Sequence, residues 1–435
     1  MEKSSISIIS VLLFAGLALA QAALDARNSD PRKIGWMQGF PPAREKLLSA
    51  KDGSFFTFPG LRYSVNHMRE FYPTRPVAGG VKKHGGFDVR LDRKIDEVRF
   101  VPWGESKSIT WKESLDRNYV DGIIVLHKGK IVYEAYPAGL SKEGIHAAMS
   151  VSKSFVGTVA AILVAEGKLD PSKLVTDYIP ELKGSGFDGA TVEQVLDMTT
   201  AIRYSENYND PDAEIWKYSA SGNVFRPDSY SGPENYYDYL KTVKKIPGKE
   251  HGGEFGYKTI NTELLGWVVS RVTGKNLAEL VSEKIWKPMG AEFDGYYQLG
   301  TDGIVFAGGG FNLNLRDMAL FGELVRNGGV LDGKRILPAK AVADVSAGGD
   351  PEKFEKGGEY PNLKGWSYHN MWWMTNNSHR AFMARGVHGQ AIYIDPVARM
   401  VIVRFASNPL SSNKFIDPVS IPAYEALAEY FVSKK

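Results

Sequence analysis

The sequence predicts an α/β fold in which one antiparallel sheet is flanked by helices and interrupted by a large, mainly helical insertion. Three observations carry that expectation. Strand–turn–strand patterns occur near positions 123–136 and 390–405, far apart in the chain. Between them the apolar residues recur at helical spacing. No segment repeats at a fixed period, which argues against a helical solenoid. At 435 residues the chain has room for two or three ordinary domains, or one large domain carrying an insertion.

The first element is an expected export signal over residues 1–23. An uncharged apolar run at 6–20 follows Lys3, and Ala18-Leu19-Ala20 or Ala20-Gln21-Ala22 supplies the small-residue cleavage pattern. The run falls short of the ~20 residues that span a bilayer, so no stable membrane anchor is expected. A bacterial periplasmic or secreted protein follows. Residues 24–100 are rich in Pro, Gly and aromatics (Trp36, Phe40-Pro41-Pro42, Phe58-Pro59-Gly60) and read as an irregular extension wrapping the body.

The body then divides into a discontinuous α/β lobe, 101–165 with 376–435, around a mainly helical lobe, 166–375. In the first part, 123–126 and 131–136 are strands joined by a tight turn at 127–130. A helix is expected over 154–166, with Phe155, Val159, Ile162 and Leu163 on one side and Gly167 as its stop. Thr191-Val192-Glu193-Gln194 is a capping box opening a helix at 192–198. Further helices are expected at 261–272, 276–286 and 315–326, ended by Gly274, Pro288 and Gly328-Gly329. The second hairpin, 390–394 and 400–405, turns at Asp395-Pro396, and Ile421-Pro422 opens a final helix with Ala426, Leu427, Tyr430 and Phe431 on its apolar stripe.

Composition narrows the chemistry. Lys and Arg number 53 against 50 Asp and Glu, a net charge of +3 that is too small for a nucleic-acid footprint. With 43% hydrophobic and 24% charged residues the chain reads as globular rather than disordered. The absence of cysteine removes disulfides, thiolate metal sites and a cysteine nucleophile. The eight histidines lack paired spacing, so no metal is expected. A Gly-x-Ser-x-Gly elbow, a phosphate loop and a dinucleotide fingerprint are all missing, so no cofactor is expected.

What remains is Ser-x-x-Lys, which occurs at Ser150–Lys153 and again at Ser411–Lys414. Only the first enters a periodic helix. Residues three apart share a helix face, so Lys153 can reach Ser150. An amine kept neutral by desolvation can take the serine proton, and free N–H groups at a helix start can hold an oxyanion. The bland reading is a capping serine beside a solvated lysine. Tyr257, in a turn before the 261–272 helix, is placed to direct its phenol into a cleft.

On these residues the chain resembles the serine β-lactamase and penicillin-binding superfamily, on the branch of class C β-lactamases and related esterases and amidases. The resemblance rests on Met149-Ser150-Val151-Ser152-Lys153-Ser154-Phe155, on Glu166-Gly167-Lys168-Leu169-Asp170, on Leu196-Asp197-Met198-Thr199-Thr200, and on Tyr257-x-Thr259 followed by Leu265-Gly266. It covers about 120–435 with the motifs in family order. Within the branch, 204–211 and 385–390 are most similar to 6-aminohexanoate-dimer hydrolases, which cleave linear amides and small esters.

The resemblance implies an acyl-enzyme on Ser150, with Lys153 as general base. Tyr257, its phenolate favoured by Lys153, would share the proton work. It further implies an oxyanion hole from the N–H groups of Ser150 and Val387, and substrate contacts from Tyr208, Thr259, Arg385 and His388. His388 also fits a structural or rim position. The substrate would be a small amide or ester. One departure stands out: the family's Lys-[Ser/Thr]-Gly is absent, and Ala384-Arg385-Gly386 occupies its strand. Losing a charge-assisted contact of ~1.5–3 kcal/mol disfavours β-lactamase or DD-peptidase activity. A catalytically silent envelope binding protein on the same fold is the competing class.

Overall fold

The computed structural model describes residues 24–208 and 210–434; the expected export signal lies outside them. Among the described residues no helix is long and apolar enough to cross a membrane.

A seven-stranded antiparallel sheet forms the centre. Its strands in chain order are β1 (Val120–His127), β2 (Lys130–Ala135), β3 (Ser367–His369), β4 (Trp372–Met374), β5 (Phe382–Gly386), β6 (Gln390–Asp395) and β7 (Met400–Ala406), arranged β3-β4-β5-β6-β7-β1-β2. Both expected hairpins are present, and β7 pairs with β1 to join the two ends of the chain. The β1–β2 turn places Lys128 at φ 52° and Gly129 at φ 76°, the paired left-handed conformations that a two-residue hairpin needs. Strands β1 and β7 are buried almost throughout, because helices cover both faces of the sheet.

On one face lie α1 (Val151–Ala165), α2 (Thr259–Thr273) packed against it, and α3 (Leu315–Arg326). Helix α3 comes close because Gly322 faces the sheet; a Cβ there would stand 2.7 Å from a Val401 methyl. On the other face is α4 (Asp417–Val432). It begins four residues ahead of the expected Ile421, and Pro422 lies within it. A proline there leaves the Pro418 carbonyl without its helical donor. The Trp103 N–H takes that carbonyl at 2.9 Å, so the helix passes through.

Helix α1 likewise starts earlier than expected, at Val151, and α2 starts at Thr259. Capping boxes form at Thr191 and Asn276; beyond Val281 the helix from Asn276 widens into a π turn over Ser282–Trp286.

A second antiparallel sheet of four short strands escaped the sequence reading. Its order is Thr74–Val77, Gly295–Gln298, Phe311–Asn314, Ile145–Ala147. Runs of three or four residues are too short for an alternating pattern to emerge. This sheet takes one strand from the N-terminal extension, and Ile145–Ala147 feeds straight into Ser150.

The extension is bolted on by Arg62, which is 1% exposed. Its guanidinium donates to Ser407 Oγ (3.0 Å), Ser29 Oγ (2.8 Å) and Asp121 Oδ1 (3.1 Å). Asp121 in turn contacts His146 Nε2 at 3.2 Å, and the Ala147 N–H donates to Val65 O at 2.8 Å.

Candidate active site

The chain leaves the short strand Ile145–Ala147 and turns into α1 through Met149, held at φ 49°. This left-handed residue makes the corner that sets Ser150 at the helix mouth. Ser150 makes no side-chain capping bond, which removes the capping explanation for it. The corner is braced by Ser152 Oγ, which donates to Met149 O (2.6 Å) and accepts from Phe311 N (3.0 Å). One turn on, Ser154 Oγ donates to Met371 O at 2.7 Å.

Lys153 is 1% exposed, so a solvated lysine is also removed. Its Nζ donates to Ser150 Oγ at 2.9 Å and to Gly308 O at 2.6 Å. Burial pulls its pKa down to about 8, against the opposing charges of Glu206 and Glu263. Lys153 Nζ stands 5.1 Å from the centre of the Tyr257 ring. Burial drives the Tyr257 phenol well above its ordinary range, with Glu206 adding to it and a hydrogen bond to Ser150 opposing. That differs from the expected phenolate: the environment of Tyr257 favours the neutral form.

Two carboxylates went unanticipated. Glu206 accepts the Thr259 N–H in a very short bond and lies 3.5 Å from the Tyr208 hydroxyl. Glu263 is 1% exposed on α2 and accepts from Gly308 N (2.7 Å) and Ala307 N (3.2 Å). Burial raises it to about 7, above the effect of those two bonds. A signal for Glu263 existed: it interrupts the apolar stripe formed by Ile260, Leu264, Leu265 and Val268. Buried acids of that kind are held by partners.

The remaining candidates fall in different places. Gly386 abuts the Ser150 corner, since a Cβ on it would meet Ala148 O at 2.8 Å and Met149 Cβ at 3.1 Å. Val387, the next residue, packs on the same apolar cluster as Met149. Tyr208 is partly buried and packs edge-on against Trp216 at 6.0 Å. Thr259 is buried, its methyl side turned toward Gly308. Arg385 is buried, paired with Asp417 Oδ2 at 2.5 Å and stacked 4.6 Å over Trp373. His388 is buried and neutral: burial pulls it to about 4, and its Nδ1 bonds Asn408 O at 2.7 Å. Among the described residues no cluster of three or more His, Asp or Glu side chains is placed to hold a metal ion.

Comparison with known proteins identifies the family and the fold. Residues 118–418 match the family described as Beta-lactamase. A 6-aminohexanoate-dimer hydrolase from Paenarthrobacter ureafaciens is 37% identical over 298 residues, covering 68% of this chain and 75% of that protein. A solved 6-aminohexanoate-dimer hydrolase homologue from Bacillus anthracis superposes with a TM-score of 0.80 at 32% identity, covering 91% of this chain and 99% of the other. A class C β-lactamase crystallised with cefoxitin shares the fold, with a TM-score of 0.51 at 19% identity over 73% of this chain and 96% of its own. By sequence and by fold, the chain belongs to the beta-lactamase family of serine hydrolases.

Proposed function

We propose that the protein is an exported serine hydrolase that cleaves amide or ester bonds of small linear substrates through an acyl-enzyme on Ser150. The observation that carries this reading is the 2.9 Å bond between Lys153 Nζ and Ser150 Oγ, made by a lysine that burial brings to about 8. A lysine in that range is neutral in a useful fraction near neutrality and accepts a proton from the attacking hydroxyl.

Neutral Lys153 takes the Ser150 proton as Oγ bonds to the substrate carbonyl carbon. The carbonyl electron pair moves to oxygen, which the N–H groups of Ser150 and Val387 receive. As the tetrahedral centre collapses, the bond to the leaving amine or alcohol breaks. Tyr257 gives that leaving group its proton and regains one from Lys153. Water then repeats the sequence on the acyl-enzyme, with its proton accepted at the same Lys153–Tyr257 pair. The raised pKa of Tyr257 supports an acid role for it and leaves the base role to Lys153.

Arg385 bears on the substrate. Its Nη2 pairs with Asp417, while its buried Nη1 has no hydrogen-bond partner among the described residues. The missing Lys-[Ser/Thr]-Gly on that strand is what supports a neutral reacting end and disfavours β-lactams and D-Ala-D-Ala peptides. Retention of Ser150, Lys153 and Tyr257 in mutual contact counts against a silent binding protein.

The test is labelling with a fluorophosphonate, followed by turnover of p-nitrophenyl butyrate, a linear 6-aminohexanoate dimer and nitrocefin. Labelling on Ser150 and hydrolysis of the first two are expected. No adduct on Ser150 would sink the enzyme reading, and nitrocefin turnover far above the others would overturn the substrate assignment.

A further inference from the structure

Tyr257 stands in a short irregular run, residues 255–258, that leads into α2. Lys258, just ahead of the helix, makes no side-chain cap, and the N–H groups of the run and of the first helical residue find their acceptors in distant segments. Phe255 N donates to Lys353 O at 2.9 Å, Gly256 N to Met198 O at 2.9 Å, and Thr259 N to Glu206. The Tyr257 N–H is taken by a carboxylate 102 residues further on, Glu359 Oε2, at 3.0 Å.

The segment before Glu359 delivers it there. The helix Pro351–Gly357 is capped at its start by Asp350 and stopped by Gly358, whose left-handed φ of 71° turns the chain back toward Tyr257. The approach is close: a Cβ on Gly357 would stand 2.0 Å from Phe255 O, so only glycine fits there. Phe354 is buried and stacks on Phe255 at 4.8 Å. Tyr360 meets Trp373 at 4.9 Å, and that ring lies 5.4 Å from Tyr257. The same segment therefore reaches Tyr257 twice, at its ring through Trp373 and at its backbone through Glu359. Lys258 Nζ and Glu359 Oε1 both lie over Gly256, where a Cβ would stand 2.1 Å from the first and 3.6 Å from the second. A bond from an N–H to a charged carboxylate is among the stronger ones available to a backbone.

We infer that Glu359 is a positioning residue for Tyr257: its hold on the Tyr257 N–H keeps the phenol in line with Lys153 and the leaving group. The inference deepens the proposed function and rests on Tyr257 being the proton donor there. Small displacements of a catalytic group are costly, which gives such a hold a kinetic consequence. Glu359 is exposed, so replacing it removes the hold without opening the core.

The experiment measures kcat and KM for wild type, Glu359→Ala, Glu359→Gln, Tyr257→Phe and the double variant Tyr257→Phe/Glu359→Ala on a linear 6-aminohexanoate dimer and on p-nitrophenyl butyrate, with fluorophosphonate labelling of Ser150 alongside. Glu359→Ala should lose about ten- to hundredfold in kcat on the amide, with KM within about twofold, and less than about threefold on the ester, whose leaving group departs without a proton. Glu359→Gln, whose amide oxygen accepts the same N–H, should come back to within about threefold of wild type. In the Tyr257→Phe background the alanine change should cost less than about twofold more, since no phenol is left to position. Equal losses on amide and ester, or a full further loss in the Tyr257→Phe background, would mark a purely structural role and overturn the inference. Glu359→Gln no better than alanine would overturn it too. If wild type takes no label on Ser150, the hydrolase reading itself has failed and the role of Glu359 falls with it; a labelled enzyme in which Glu359→Ala keeps its amide kcat discards Glu359 alone.

Discussion

Glu263 and Lys153 meet across a single residue: the Gly308 N–H donates to Glu263 at 2.7 Å and the Gly308 carbonyl accepts from Lys153 at 2.6 Å. The buried acid thereby fixes the carbonyl that orients the lysine. Together with Glu206 it also sets how firmly that lysine keeps its proton. On the proposed mechanism, in which neutral Lys153 is the base, kcat/KM should rise with pH through about 8. Glu206→Gln removes a charge that holds the proton on, so the rise should move to lower pH. A pH–rate profile with p-nitrophenyl butyrate reads this; an unmoved rise would mean that another group titrates.

Tyr257→Phe should separate amides from activated esters. An amine cannot leave without a proton, whereas p-nitrophenolate can. The variant should lose about 10²–10⁴-fold on the linear amide and far less on p-nitrophenyl butyrate. Equal losses on both would remove Tyr257 from leaving-group protonation.

Arg62→Ala should destabilise the fold by about 3–5 kcal/mol, because Asp121 would be left buried with its cation gone. Arg62→Lys should rescue only part, since one ammonium cannot reach Ser29, Asp121 and Ser407 together. Urea denaturation measures both. A cost under about 1 kcal/mol for the alanine variant would show that the extension is held elsewhere.

His369 should give stability a pH dependence of its own. Burial pulls its imidazole down, but the bonds to Asp197 (2.8 Å) and Asp344 (3.4 Å) outweigh burial and raise it to about 10. A raised histidine stabilises fully below its unfolded value near 6.5 and loses that contribution as pH climbs through about 10. The Tm advantage of wild type over His369→Gln should be largest near pH 6 and shrink toward pH 10. A constant difference would mean that the ring stays neutral.

The sequence disclosed what local pattern encodes. The hairpins of β1–β2 and β6–β7, the capping box at Thr191 and the Ser150–Lys153 spacing are visible because each depends on residues a few positions apart. Glu206 stayed hidden because its partners, Lys153 and Thr259, stand more than fifty residues away on either side. The four-stranded sheet stayed hidden because its strands are short and come from four distant segments. Arg385 was legible as a cation on the right strand. That it pairs with Asp417 followed only from a helix whose start the prolines concealed.

The bolt at Arg62 also orders events in time. Its partners at Asp121 and Ser407 are synthesised after it, the second by 345 residues. The extension therefore cannot settle until β7 and the segment beyond it exist, and contacts of such long range are slow to close. The corner holding Ser150 is braced by Val65 from that same segment, so the nucleophile gains its final setting late. On the proposed mechanism, a chain truncated before Ser407 keeps Ser150, Lys153 and Tyr257 but lacks one of the anchors of the segment that braces the nucleophile corner, so its acyl transfer should be impaired.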